Sequence, residues 1–159
     1  LKGTELPQIP AFHTSWQEWR HRPPDTLVMG LPTGLRSEQS RNYERSPYAG
    51  YEKSKRLYFK VSHKAPATYH PKEQVLGLSI NGVFKAYPFM ELAAAKQSRF
   101  TDTVNEQAVT IYWDEAARSA YAVSGDGELL PTTVAFWFAW FTFHPDTEVF
   151  VAPDNKIDS

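Results

Sequence analysis

Residues 75–87 read VLGLSI-NG-VFKAY, two runs of strand-forming residues joined by Asn81 and Gly82. Asn-Gly supplies the two positive φ values of a type I′ turn, whose twist matches that of paired antiparallel strands, so the stretch predicts a tight hairpin. Working outward, residues 108–113 (AVTIYW) and 119–123 (SAYAV) flank the polar residues 114–118 and predict a second hairpin. Pro88 opens a helix running through Met90 to Lys96, because a proline in the first turn forfeits no hydrogen bond. Residues 57–61 (LYFKV) read as a further strand and residues 148–152 (EVFVA) as the last. These pieces add up to an α+β fold, a β-rich antiparallel sheet with three short helices. No linker composition divides it, so residues 1–159 read as one domain.

The two ends of the chain resemble each other. Laying Ile9-Pro10 on Leu130-Pro131 brings Trp16 onto Trp137, Trp19 onto Trp140, Pro24 onto Pro145, Asp25 onto Asp146, Thr26 onto Thr147 and Val28 onto Val149 without a gap. Residues 1–30 and 130–152 are thus an internal repeat of one element. Each copy has a proline turn, a helix with two Trp at i and i+3 on one face, a Pro-Asp-Thr stop and a strand. Thr14 or Ser15 is placed to cap the first helix, with Glu18 positioned to complete a capping box. The copies differ in polarity. The first helix is amphipathic, whereas Val134 to Phe143 is apolar on every face and has to be covered on every face. That cover comes from within the chain or from a partner, and Trp137, Phe138, Trp140 and Phe141 are the residues a partner would meet.

Composition removes several function classes. Lys and Arg number 17 against 18 Asp and Glu, a balance that offers no field to attract nucleic acid or an anionic membrane surface. The absence of Cys excludes disulfides, thiolate zinc sites, covalent haem attachment and cysteine nucleophiles. The longest apolar run, Val134 to Phe143, is half the roughly 20 residues a membrane-spanning helix needs. Leu1 takes the place of Met, and no charged segment followed by an apolar one precedes it, which predicts a processed or truncated start.

A set of ordered motifs resembles a known family. These are Trp16-x-x-Trp19 with Pro24-Asp25-Thr26-Leu27-Val28, Thr33-Gly34, Arg41-x-Tyr43, Pro47-Tyr48-Ala49-Gly50-Tyr51, Pro71-Lys72-Glu73 with Val75-Leu76-Gly77, Ala86-Tyr87-Pro88, and Phe136 to Trp140 followed by His144-Pro145-Asp146-Thr147. Together they resemble the bacterial and archaeal family catalogued as domain of unknown function 3179, over nearly the whole chain. The resemblance implies an extracytoplasmic protein, periplasmic or secreted, and a longer parent chain; it implies no established activity. Many members carry a Tyr-Cys-Pro type segment and several dozen more residues where this chain has Trp113-Asp114 and a short path to Glu128. Any chemistry done by that cysteine in relatives is closed to this shortened member.

The strongest site candidate is the irregular stretch 31–56. Its Arg36, Arg41, Tyr43, Tyr48 and Tyr51 combine guanidinium groups, which bind carboxylate or phosphate bidentately, with rings that stack on sugars or planar ligands. The competing reading is that these side chains pin a long loop to the sheet. The histidines carry a weaker signal. His13 and His21 flank the first helix too far apart to share an ion, and His63, His70 and His144 sit in turns, where a metal site would need a carboxylate such as Glu73 or Asp146. No Gly-x-Ser-x-Gly and no phosphate-cradling glycine run occurs, and the adjacent carboxylates Asp114 and Glu115 point apart in a turn.

These readings converge on a non-catalytic extracytoplasmic binding or structural subunit, without cofactor or metal, that packs its aromatic helix surfaces against another protein chain or a second copy of itself. The alternatives are an enzyme or small-ligand binder using the Arg/Tyr loop, and a histidine-based metal carrier.

Overall fold

The computed structural model describes residues 7–21, 25–28 and 50–153. Its elements run in the order α1 (Trp16–Trp19), β1 (Gln74–Ile80), β2 (Val83–Pro88), α2 (Phe89–Ala94), β3 (Arg99–Val104), β4 (Gln107–Asp114), β5 (Ser119–Ser124), β6 (Thr132–Phe136), α3 (Trp137–Phe143) and β7 (Glu148–Val149). The α+β class and the strand-rich balance hold, but the strands form two sheets rather than one, in the orders β6-β1-β2-β7 and β3-β4-β5.

The first hairpin forms around Asn81 and Gly82, whose φ values of 49° and 83° are the positive pair that a type I′ turn demands. The second joins β4 to β5 with Asp114 opposite Ser119. Among the described residues all strand pairings are antiparallel except β2 with β7, a short parallel contact of Lys85 and Ala86 with Glu148 and Val149.

The sheets pack face to face. Leu76, Leu78, Ile80 and Tyr87 of the first meet Val104, Val109, Ile111 and Trp113 of the second, with Phe89 and Leu92 of α2 in the same core. The other face of β1 and β2, presenting Val75, Gly77 and Ala86, is covered by Trp137 and Trp140 of α3. Strand β1 is therefore buried on both faces, which explains its nearly continuous apolar run, whereas β4 alternates because only one of its faces is buried. Lys85 of β2 ties the sheets together, its ammonium 2.8 Å from Asp102 on β3 and 3.8 Å from Glu148 on β7. Beside it the buried Tyr87 hydroxyl is pushed well above the ordinary tyrosine range by burial and by the Asp102 carboxylate.

Three sequence expectations are corrected, and one strand was not foreseen. Residues 57–61 form no strand. The carbonyls of Tyr51, Ser54 and Arg56 just before them are held by the Lys72 ammonium, and Phe59 packs on Phe138, so the segment follows side-chain anchors instead of a ladder. The helix expected over Val134–Phe143 starts only at Trp137, because Val134, Ala135 and Phe136 are drawn into β6 by pairing with β1. Strand β3 went unforeseen; its turn uses Asn105 and Glu106, both with positive φ (46° and 61°), a pair that lacks the glycine signal. Thr26 to Val28 is not a strand, unlike the matching β7.

Candidate functional site

Among the described residues the two Trp elements share local geometry. Helices α1 and α3 both begin at the first Trp of the motif, and their caps Ser15 and Phe136 share extended backbone angles (φ −72°, ψ 155° and φ −75°, ψ 146°). Ser15 is the cap, its hydroxyl accepting the Glu18 amide at 3.2 Å. In each copy the indole N–H of the second Trp donates to the threonine seven residues on, Trp19 to Thr26 and Trp140 to Thr147, both at 3.0 Å. This clasp ties the threonine back onto its helix, and it accounts for the pairing of Trp with Thr seven residues on in the sequence.

The cover differs between the copies. Trp137 and Trp140 are only 2% and 6% exposed, and Phe138 is buried while Phe141 is half-buried. The four residues expected to meet a partner thus pack largely within the chain. Trp137 lies edge-on to Tyr69, 5.6 Å between ring centroids, and donates to the carbonyl of Pro66 at 3.2 Å. Trp140 lies over Gly77 so closely that a methyl group there would fall inside its ring. His144 sits 4.0 Å from the Phe84 ring and 4.2 Å from the Trp140 ring, and burial pulls its pKa below the usual histidine value. In the first copy Trp16 is 53% exposed, with Ile9, Leu27 and Val28 also open to solvent, although Phe12 lies edge-on to Tyr121 on the second sheet at 5.3 Å.

The Pro71-Lys72-Glu73 motif turns out to be a junction. Backbone carbonyls of Glu73 and Pro71 accept the first two amides of α3, from Trp137 at 2.7 Å and Phe138 at 2.9 Å. The Glu73 carboxylate accepts the Met90 amide at 2.9 Å and so caps α2. The buried Lys72 ammonium donates to the carbonyls of Tyr51 (2.6 Å), Ser54 and Arg56 (2.9 Å), and lies 3.4 Å from the Tyr51 ring centroid. All three of its N–H bonds are engaged, and burial lowers its pKa. Nearby, Glu91 receives the Tyr69 hydroxyl at 3.0 Å and the Ala152 amide at 2.9 Å. Burial first, then the Glu91 hydrogen bond and charge, push Tyr69 up to about 12.

Of the Arg/Tyr loop, Arg36, Arg41, Tyr43 and Tyr48 lie outside the described residues; Tyr51 packs tilted against Tyr58, 4.6 Å between ring centroids, and serves the Lys72 junction. The histidines do not converge. His63 contacts the Thr142 carbonyl, His70 accepts the Lys72 amide on Nδ1, and His144 packs between rings. Among the described residues no group of three His, Cys, Asp or Glu is placed to hold a metal ion. Sequence reasoning missed the cavity of about 530 Å³ between residues 55–71 and α3, bordered by Lys55, Lys64, His70 and Phe138. Nothing in the sequence pointed to it, because residues 57–61 of its lining read as a strand.

No curated protein and no solved structure matches the chain. A family model matches residues 1–128, from the first Trp element through both hairpins, and stops before β6 and α3. On that match, which covers more than half of its 159 residues, the chain belongs to the family described as "Protein of unknown function (DUF3179)".

Proposed function

We propose that the chain is a non-catalytic binding module acting outside the cytoplasm, periplasmic or secreted, which docks another protein chain on the open side of its first Trp element. The observation that carries this reading is the unequal cover of the two copies, with Trp16 at 53% exposure and Trp137 at 2% around the same indole-threonine clasp. An aromatic surface that one copy buries and the other leaves open, together with exposed Ile9, Leu27 and Val28, has the character of an interface centre. The non-catalytic part is supported by the way Lys72, Glu73 and Glu91 spend their charges on backbone groups and hydroxyls. The extracytoplasmic part is supported by the family resemblance drawn from the motifs.

Placing a photo-crosslinking amino acid at position 16 in the cells that make the protein tests it, with exposed Glu115 on the β4–β5 turn as control. Discrete protein adducts from position 16 and none from 115 are expected. Equal, diffuse labelling from both positions would remove the docking surface.

A further inference from the structure

The stretch from Tyr51 to Glu73 contains no helix or strand, yet it is tethered along its length. Lys72 holds its start, the Thr142 hydroxyl donates to the His63 carbonyl at 3.2 Å, Trp137 holds the Pro66 carbonyl, and Tyr69 is bonded to Glu91. Irregular stretches of this length inside a compact unit usually serve a function. Here the tethers fix the loop against rigid elements while leaving about 530 Å³ between it and α3, a volume in the ordinary range for small-ligand sites.

The lining is chemically one-sided. Leu57, Val61, Ala65, Pro66 and Phe138 form an apolar wall, and Lys55, Lys64 and His70 border it with no carboxylate among the lining residues. Neither Lys55 nor Lys64 is in an ion pair among the described residues. His70 accepts the Lys72 amide on Nδ1, so its neutral form carries the proton on Nε2 and is a further donor. Two unpaired ammonium groups beside an apolar hollow complement an anion on a greasy body. The volume is that of a small molecule, not of a folded partner.

We propose that this cavity binds a small amphipathic carboxylate, its apolar body against Leu57, Val61 and Phe138 and its carboxylate at Lys55 and Lys64. The proposal is independent of the docking surface at Trp16, which belongs to the other Trp element.

Calorimetric titration of the whole chain with decanoate, 1-decanol and decyltrimethylammonium tests it. Saturable one-to-one binding of decanoate is expected, at least tenfold tighter than the alcohol, with the cation weaker still. The Lys55→Ala/Lys64→Ala double variant, altered only at exposed positions, should bring decanoate to the level of the alcohol while the melting temperature stays unchanged. Phe138→Ala is unsuitable because that ring is buried, so Val61→Asn, at a half-buried wall position, probes the apolar side without adding charge and should weaken decanoate and decanol alike, at least tenfold. Equal binding of decanoate and decanol, decanoate binding unaffected by the double variant, or no saturable binding of any probe would each overturn the proposal.

Discussion

The two Trp elements use one local design in two settings. Each places its Trp pair on a helix that starts after an extended cap, and each folds back through an indole-threonine hydrogen bond of 3.0 Å. The second gains its burial from long-range partners, Tyr69, Gly77 and Phe84, and its strand β7 joins the edge of the first sheet. The first rests on the second sheet through Phe12 and leaves Trp16 and Leu27 open. The clasp is therefore local, spanning seven residues in each copy, while the energetic weight of each copy comes from what covers it.

The comparison breaks most visibly at the rings. Trp140→Ala should cost about 3–5 kcal/mol, since it empties a packed layer between α3 and β1. Trp16→Ala should stay within about 0.5 kcal/mol in the isolated chain, because the ring is half in water already. Urea unfolding of both variants checks the contrast; equal losses would mean that α1 is covered as fully as α3. A smaller effect comes from the floor beneath Trp140. Gly77→Ala should cost about 1–3 kcal/mol by overpacking, as the added methyl displaces the indole. Near-ultraviolet circular dichroism should lose tryptophan intensity alongside the stability. A variant with wild-type stability and spectrum would show that the indole can shift at no cost.

The residues that specified structure over short range were legible. Asn81-Gly82 marked its hairpin, the run 108–123 marked β4 and β5, and the Trp pairs marked both helices, though not where the second one starts. What escaped depends on distant contacts. Val134 to Phe136 carry as apolar a pattern as α3 does, and pairing with β1 is what makes them a strand. Residues 57–61 have strand-forming side chains but pair with neither sheet; the Arg56 carbonyl bound by Lys72 and the Phe59 ring packed on Phe138 fix their path instead. Lys72 and Glu73 stood out in the sequence as part of a motif. Their roles as loop tether and double helix cap could not be read there, because the groups they serve lie between 16 and 64 positions away. The cavity at residues 55–71 is hidden for the same reason, its shape being set by bonds to Trp137 and Thr142 that span 71 and 79 residues.

The finest test of the comparison leaves both rings in place and removes only the acceptor. Valine matches threonine in shape, so Thr147→Val and Thr26→Val each delete one hydroxyl and strand one indole N–H. At Trp140, which is 6% exposed, the stranded donor has little access to water, and the loss should be about 1 kcal/mol or somewhat more. The Thr147 hydroxyl also donates to the Glu148 carbonyl at 3.1 Å, next to the β7 pairing, which adds to the penalty. Trp19 is half-buried in a single-turn helix on the outer side of the molecule, where water can take over from Thr26, so the matching change should cost only a few tenths of a kcal/mol. Thermal melts of the two variants decide the matter. A larger loss from Thr26→Val would reverse the ranking and mean that the first element, despite its open Trp16, holds the more stringent clasp.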